Sequence, residues 1–258
     1  MRVITPKEKP DFREYEGPDR IISSYEMADH VKKNETAYIT VKAKIPGLDA
    51  ATAGFETGEL IAISGPTKNG KTLFSQTLTR NFHEQQVFSL WFSFELPPRQ
   101  FLNCFRDLPL IYMPKVLRSA DLNWLEDRIL ESFQKYNTRV VFLDHLHYLF
   151  DMARSKSPSI EIGQVIRRLK MLAVRENFII FLMAHTSKGG AVDLSFQSIR
   201  DSSFVSQESD SVLMIKRTPE KGENSARLRV EFHRRTGIME RVISLIKVNG
   251  YLEELNQP

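Results

Sequence analysis

Residues 65–72 read Gly-Pro-Thr-Lys-Asn-Gly-Lys-Thr and match the G-x-x-x-x-G-K-[ST] pattern in full, which constrains the fold more than any other stretch of the chain. In this pattern the glycines let backbone N–H groups turn towards phosphates, the lysine reaches the β- and γ-phosphates, and the final hydroxyl ligates Mg²⁺. An apolar segment at 59–64 precedes the loop, and a segment of helical character follows from Leu73. The loop is therefore expected at a strand-to-helix junction, where a helix N-terminus faces bound phosphates.

This loop predicts a site for a nucleoside triphosphate with Mg²⁺. Lys71 is the expected catalytic cation, and Thr72 is the expected metal ligand. The residues predicted to contact the nucleotide are Gly65, Lys68, Asn69, Gly70, Lys71, Thr72 and Leu73. A chance match to a glycine-containing turn is the alternative, and the flanking strand and helix argue against it.

The composition bounds the size and the compartment of the protein. With 258 residues, 41% of them hydrophobic, the chain can bury one substantial core but not two large ones. A formal net charge of +4 permits a polyanionic partner without requiring one. The single cysteine, Cys104, excludes an internal disulfide and a cysteine-rich zinc site. No stretch reads as a signal peptide or a membrane span, so we expect a cytoplasmic protein that does not associate with membranes.

The first part of the chain differs in character from the remainder. Residues 1–20 mix proline with charged residues and show little periodicity, which predicts an extended arm. Residues 21–35 carry apolar side chains at helical spacing, including Tyr25 and Val31, and predict a short amphipathic helix. That helix could pack on its own domain or dock on a neighbouring subunit, and the sequence leaves both open. Residues 36–258 are predicted to form one main domain, which contains the loop at 65–72.

The alternation of apolar segments and helical segments predicts the fold class. Segments 87–94, 139–144 and 178–184 are mostly apolar and do not alternate with polar residues, as is typical of buried parallel strands, and helical segments separate them. Residues 45–60 contain turn-rich stretches that lead into the strand before the phosphate loop. Segments 212–215, 226–232 and 242–246 follow one another through short loops and predict antiparallel strands. We expect an α/β fold with a mainly parallel twisted sheet, helices on both faces and partly antiparallel C-terminal strands.

Polar residues stand where the predicted parallel strands end, and ligands of such sheets collect at that edge. Asp144 ends an apolar strand and is placed to hold Mg²⁺ through water, unless it is only a buried cap. Glu95 follows another strand and could orient and deprotonate an attacking water, or could cap the turn before Pro97. His185 could sense the γ-phosphate or be purely structural.

Two sets of basic residues lie apart from these strand ends. Arg154, Lys188 and Arg200 fall in loops rich in glycine and serine, where they could contact nucleic-acid phosphates or simply be solvated. The stretch 233–237 reads His-Arg-Arg-Thr-Gly and places two arginines at a strand end. One of them could reach a γ-phosphate bound by an adjacent subunit, and the residues alone leave that role open.

Taken in order, these motifs resemble the RecA-like motor domain of ring-shaped replicative helicases of the bacterial DnaB and mitochondrial Twinkle type. The resemblance covers residues 45–248. Segment 92–96 resembles the Phe-Ser-Leu-Glu-Met segment that holds the catalytic glutamate of that family, and segment 144–147 resembles its Asp-Tyr-Leu-Gln strand end. His185 falls where the family has a Gln or His sensor. Segment 198–210 is similar to the stretch that grips single-stranded DNA.

The resemblance implies roles for particular residues. Arg235 corresponds to the arginine that acts in trans, while His233 stands where the bacterial proteins have a lysine, so a second such cation is in doubt. The implied DNA contacts are Arg200, Asp201 and Ser203. The loop residues Lys188 and Arg154 are further candidates on the residues alone. The helix at 21–35 takes the place of the linker helix of the family. We expect a minimal form, from a phage or a mobile element, that lacks the N-terminal helical or primase-like domain of the family.

The function implied by the resemblance is ATP-dependent unwinding of DNA by a ring, expected to be a hexamer, with ATP between subunits and single-stranded DNA in the pore. The protein is then expected in a bacterial cell or a phage-infected host, with a replication loader or primase as a candidate partner. One alternative is a recombinase-like or KaiC-like ATPase that does not unwind DNA. Another is an ATP-gated accessory protein of replication.

Overall fold

The computed structural model describes residues 13–149, 158–185 and 202–255. The chain divides into two compact units, Met1–Tyr38 and Ile39–Pro258. The seven α-helices of the described ranges are α1 Ser24–Lys33, α2 Pro46–Thr52, α3 Lys71–His83, α4 Pro98–Asn103, α5 Leu122–Tyr136, α6 Pro158–Glu176 and α7 Ser202–Glu208. None of these helices is long and apolar enough to cross a membrane.

The first unit contains the predicted amphipathic helix, with a different start. The Ser23 hydroxyl accepts a hydrogen bond from the Glu26 backbone N–H at 3.1 Å, and the Glu26 carboxylate accepts one from the Ser23 N–H at 3.0 Å. This reciprocal capping box begins α1 at Ser24, so Ile21 lies before the helix. No residue of α1 is buried, and Tyr25 is 84% exposed. The helix therefore presents an uncovered apolar side.

A nine-stranded sheet forms the centre of the second unit, in the order β11-β10-β9-β8-β3-β7-β6-β4-β5. Its strands are β3 Leu60–Gly65, β4 Ser89–Ser93, β5 Ile111–Tyr112, β6 Val140–Asp144, β7 Ile179–His185, β8 Ser211–Arg217, β9 Ser225–His233, β10 Ile238–Val248 and β11 Tyr251–Glu254. A separate pair, β1 Thr40–Val41 and β2 Phe55–Glu56, forms a small antiparallel sheet.

The main sheet has a parallel half and an antiparallel half. Strands β8, β3, β7, β6, β4 and β5 pair in parallel, whereas β8 to β11 pair antiparallel in sequence order. This confirms the predicted mainly parallel sheet with antiparallel C-terminal strands. Strand β11 was absent from the prediction, although Asn249-Gly250 before it is a strong hairpin signal. Both of these residues have positive φ, as such a turn requires.

Helices cover both faces of the sheet, which confirms that part of the predicted fold class. Alternate residues of β3 point to opposite sides: Ile61 and Ile63 join a core with α2, α3 and α4, whereas Leu60 and Ala62 join a core with α5 and α6. Both cores are rich in aromatic and branched side chains that are fully buried. The strand that leads to the phosphate loop is therefore held rigidly from both faces.

Residues 46–52 correct one prediction. The stretch that starts at residue 45 is predicted to be rich in turns, but Pro46 and Gly47 begin α2. Pro46 occupies the first turn of this helix, where its missing N–H and fixed φ are tolerated. The helix ends at Thr52, and the next two residues, Ala53 and Gly54, both have positive φ. A proline next to a glycine is a turn signal from sequence alone, so this helix start was not recognised.

Candidate active site

Gly65 ends β3 at a point where another strand passes very close. A Cβ atom on Gly65 would lie 2.1 Å from the backbone oxygen of Ile215 in β8, and the φ of Gly65 is +150°. Only glycine fits this approach without moving backbone. Gly70, with φ +94°, is the residue that precedes α3. The two glycines of the motif thus bound the loop between β3 and α3, as the sequence predicted.

Lys71 is the first residue of α3 and is 6% exposed. Its Nζ donates hydrogen bonds to the backbone oxygens of Gly65 at 2.9 Å and Pro66 at 3.1 Å. Burial lowers the pKa of Lys71 to about 8, against the opposing influence of the Glu95 and Asp144 carboxylates. The ammonium group therefore lies folded over the loop, with both carboxylates near enough to affect its charge.

Thr72 and Asp144 meet at the end of β6. The Thr72 hydroxyl donates to Asp144 Oδ2 at 3.3 Å, and Asp144 is 1% exposed. Burial raises the pKa of Asp144 to about 6, with the Glu95 charge adding to the rise and the Thr72 hydrogen bond opposing it. A hydroxyl and a carboxylate at this spacing offer the hard oxygen ligands that Mg²⁺ prefers, so the donor set fits that ion.

Glu95 lies two residues beyond β4 and is exposed. Strands β4 and β6 pair in register at Ser93 and Asp144, which brings the two carboxylates to the same edge of the sheet. The structure therefore brings together Lys71, Thr72, Glu95 and Asp144, all of which the sequence predicted for one site. His185 ends β7 and its backbone pairs with Gly65 of the loop. The His185 side chain lies outside the described part of the chain, so its sensor role stays a prediction.

The predicted DNA contacts fall mostly outside the described ranges. This holds for Arg154, Lys188, Arg200 and Asp201. Ser203 lies in the first turn of α7, and its side chain is likewise not described. Their roles therefore stay predictions.

Arg235 lies in the turn after β9, near the amino end of β3, whereas the phosphate loop follows the carboxyl end of that strand. Its Nε donates to Glu59 Oε1 at 2.9 Å, and its Nη2 donates to the backbone oxygens of Thr52 at 3.1 Å and Gly54 at 2.7 Å. Its guanidinium also pairs with the Glu56 carboxylate at 3.1 Å. The side chain is nevertheless 35% exposed. Arg235 thus faces away from the phosphate loop of its own chain.

His233 differs from Arg235 in being buried. It is 1% exposed, its Nδ1 is 3.0 Å from the Thr236 hydroxyl, and its Nε2 is 3.6 Å from Glu59 Oε1. Burial and the Arg235 charge lower the pKa of His233 to about 4. The residue in this position is therefore a neutral, interior side chain at pH 7.

Comparison with known proteins places this site in a recognised fold. A structure of a DnaB-like replicative helicase and its interactions with primase superposes with a TM-score of 0.73 and 18% identity, covering 92% of this chain and 68% of that one. A second solved structure, that of an ATPase domain, superposes with a TM-score of 0.77 and 17% identity, covering 92% of this chain and 100% of that one. The fold is that of a DnaB-like helicase ATPase domain. It is the RecA-like fold that the resemblance implied.

Sequence comparison adds a curated relative. A probable replicative DNA helicase of Trieres chinensis is 24% identical over 207 residues. That match covers 66% of this chain and 46% of the relative, so the chain spans about half the length of the curated protein that it matches. No family model matches the sequence.

A cavity lies beside the loop at 65–72. It has a volume of about 220 Å³ and is lined by loop residues together with the end of β8, the start of β9 and the C-terminal strands. Asn69 Oδ1 accepts a hydrogen bond from the Arg217 N–H at 3.0 Å, which ties the loop to β8. Arg217 and the rest of this wall carry no signal in the sequence, because only the fold brings residues 148 positions apart into contact.

Proposed function

We propose that this chain is the ATPase motor of a replicative DNA helicase that hydrolyses ATP between subunits of a ring and moves along single-stranded DNA. One observation carries the proposal: Lys71, Thr72, Asp144 and Glu95 converge at one edge of the sheet in a DnaB-like fold. Glu95 comes from the strand next to β6 instead of following Asp144 directly. A loop lysine, a metal-ligand pair and a separate carboxylate supply the parts that phosphoryl transfer to water requires.

ATP with Mg²⁺ is the proposed cofactor pair. The loop at 65–70 would hold the phosphates through backbone N–H groups, while Thr72 and Asp144 would hold the ion. Bound Mg²⁺ supplies charge neutralisation on the phosphate oxygens. Within the chain itself, Lys71 must leave its two carbonyl partners to contact phosphate, and Glu95 orients a water and accepts its proton.

The cavity beside the loop is the proposed site of the nucleoside. It opens next to Lys68, Asn69, Gly70 and Leu73, four of the residues predicted to contact the nucleotide. Arg217 offers a planar cation that can stack on a base, and Asn224 offers amide donors and acceptors. A purine ring would enter from the phosphate loop without rearrangement of the sheet.

The affinity of the protein for nucleotide with Mg²⁺ is expected to fall at both low and high pH. Below about pH 6, Asp144 gains a proton and loses the charge that attracts the ion, and above about pH 8 Lys71 loses the charge that attracts phosphate. Affinity for a non-hydrolysable ATP analogue with Mg²⁺ should therefore fall by up to about tenfold per pH unit outside this window.

Calorimetric titration between about pH 5 and pH 9 measures this dependence, over a range that brackets both pKa values. The Asp144→Asn variant is the matched control, because it binds more weakly but shares the titration of the analogue itself. Below about pH 6, the affinity of this variant for the analogue should fall less steeply than that of the wild-type protein. An equally steep fall in both proteins would contradict the assignment of Asp144 as a metal ligand.

Ring assembly is proposed because Arg235 faces away from its own phosphate loop. A ring of identical subunits with heterologous interfaces would set this arginine beside the loop of a neighbour. The uncovered apolar side of α1, with Tyr25 and Val31, is a second surface for a neighbouring subunit. Single-stranded DNA would contact Arg154, Lys188, Arg200, Asp201 and Ser203, and a loader or primase is a further candidate partner.

Strand displacement from a forked DNA duplex is the experiment that tests this function. A helicase separates the strands only when ATP is present and hydrolysed. A recombinase-like or KaiC-like ATPase would hydrolyse ATP and leave the duplex intact, and a nucleotide-gated accessory protein would bind ATP without sustained turnover.

A further inference from the structure

The C-terminal end of α7 is fastened to the turn at 234–237, which joins β9 to β10. Arg234 Nη2 donates to the backbone oxygen of Gln207, in the last turn of α7, at 3.0 Å. A cation at this end of a helix both satisfies an open carbonyl and complements the helix dipole. The side chain of Arg234 is 56% exposed, so these contacts lie at the surface of the subunit.

Asp210 fixes the other side of the same junction. The Arg234 N–H donates to the Asp210 backbone oxygen at 2.7 Å, and Arg234 Nη1 lies 3.5 Å from Asp210 Oδ1. The second carboxylate oxygen, Oδ2, accepts from the Leu60 N–H at 2.8 Å and from Lys170 Nζ at 2.6 Å. Asp210 is thereby bound to β3 and α6 and provides a fixed anchor. Arg234 bridges this anchor and the end of α7.

Arg235, the next residue of the same turn, is held by different groups. Its partners are the Glu56 and Glu59 carboxylates and two backbone oxygens at the end of α2. Thr236 also donates to the Ala51 oxygen at 2.7 Å. A displacement of the end of α7 relative to Asp210 therefore breaks the Arg234 contact or shifts the turn. Any shift passes directly to Arg235, because adjacent Cα atoms are held about 3.8 Å apart.

We propose that Arg234 is a positioning residue that makes ATP hydrolysis depend on single-stranded DNA by coupling α7 to Arg235. The inference rests on the function proposed above, in which DNA contacts the start of α7 and Arg235 serves the site of a neighbour. DNA bound at the first turn of α7 moves or stiffens this seven-residue helix. Arg234 transmits that change to the turn at 234–237. The Arg235 side chain then spends less time paired with Glu59 and more time in contact with the nucleotide of the neighbouring subunit.

The test compares ATPase rates of the full chain with and without a single-stranded oligonucleotide. Arg234→Ala should lower the ratio of stimulated to basal rate by at least about fivefold, the lower end of typical coupling between linked sites. The basal rate should stay within about twofold of wild type, as for most surface substitutions. The dissociation constant for the oligonucleotide, measured by fluorescence anisotropy, should also stay within about twofold.

Arg167→Ala is the matched control, since Arg167 pairs with Glu208 on the same turn of α7 at 2.6 Å without contacting the 234–237 turn. It should keep the wild-type ratio. Arg234→Lys retains a cation within reach of Gln207 and Asp210 and should restore most of the stimulation. Melting curves for each variant report the folded fraction, and the conservative Arg234→Lys protein remains informative if the alanine variant unfolds.

Three results would overturn the coupling role. One is full DNA stimulation of the Arg234→Ala protein, and a second is an equal loss in Arg167→Ala. The third is a parallel loss of oligonucleotide affinity in Arg234→Ala, which would make Arg234 a DNA contact. An ATPase of the wild-type protein that shows no response to DNA overturns the proposed function as well, whereas a stimulated wild type with an unaffected variant overturns only the role of Arg234.

Discussion

Replacing Glu95 by glutamine is expected to lower the ATP turnover number by about 10²–10⁴-fold, the usual contribution of a general base. The amide is nearly isosteric but cannot accept the proton of the attacking water. Glu95 lies at the same sheet edge as Asp144, and its charge acts on both Lys71 and Asp144, so it is close to the proposed reaction centre. Nucleotide binding should persist, because the loop, Lys71 and Thr72 are unchanged.

Steady-state phosphate release gives the turnover number, and titration of a fluorescent ATP analogue gives the affinity. Glu84→Gln is a suitable control, since Glu84 is a surface carboxylate whose partners are Lys44 and Arg80. Such exposed ion pairs contribute little, so its turnover should stay within about twofold of wild type. ATPase activity of the Glu95→Gln protein close to that of wild type would contradict the assignment of Glu95 as the general base.

Arg235→Ala is expected to lower the ATP turnover number at least as much as Glu95→Gln. Unlike that loss, this one can be reversed by a neighbouring subunit that supplies the arginine. An arginine supplied to a neighbouring site in phosphoryl transfer accounts for about 10³–10⁵-fold in turnover. The phosphate loop of the Arg235→Ala protein remains intact, whereas the Lys71→Ala protein retains the arginine. Mixed rings therefore contain some complete sites, about one quarter for random mixing in equal amounts in a heterologous ring.

Complementation requires that the two kinds of subunit mix before rings assemble. Both proteins are therefore diluted, combined, and then concentrated together in the presence of ATP. ATPase activity of the mixture is then compared with the sum of the two separate variants. Arg241→Ala, at an exposed position on the adjacent strand β10, should behave as wild type alone and in mixtures. A mixture that never exceeds the separate variants would contradict an Arg235 that acts in trans.

Arg235 also has a structural role that this design separates from catalysis. Its removal leaves Glu59, 9% exposed at the side chain, without its guanidinium partner, and takes away the hydrogen bonds that Arg235 donates to the backbone oxygens of Thr52 and Gly54. A cost of about 1–3 kcal/mol in folding stability is expected for such a buried group. Loss of stability alone lowers activity in both separate and mixed samples. Recovery in the mixture is therefore specific to the catalytic role.

The sequence predicted most of the parallel half of the sheet, and it placed at one edge the residues that the proposed nucleotide site uses, for physical reasons. Buried parallel strands have continuous apolar segments, and the residue after each strand falls at one shared edge. Glu95 and Asp144 could therefore be placed together without coordinates. The motif at 65–72 predicted the other residues of the proposed site, because the spacing of this motif is dictated by the shape of a triphosphate.

Long-range contacts account for what the sequence could not predict. The pairing of Arg235 with Glu59 joins residues 176 positions apart, and the Asn69–Arg217 contact joins residues 148 apart. Neither pair has a local pattern. The start of α2 is ambiguous in the sequence, because a Pro-Gly pair is consistent both with a turn and with a helix that begins at the proline. In contrast, the Asn-Gly turn before β11 does predict that strand.

The central claim is that ATP hydrolysis at this site drives the separation of DNA strands. Displacement of a labelled strand from a forked duplex, followed by fluorescence under ATP, ADP and a non-hydrolysable analogue, tests it directly. We predict displacement with ATP and Mg²⁺ by the wild-type protein, and none with the other nucleotides or with the Glu95→Gln protein. ATP turnover by the wild-type protein in the presence of a fork that stays fully paired would contradict the claim.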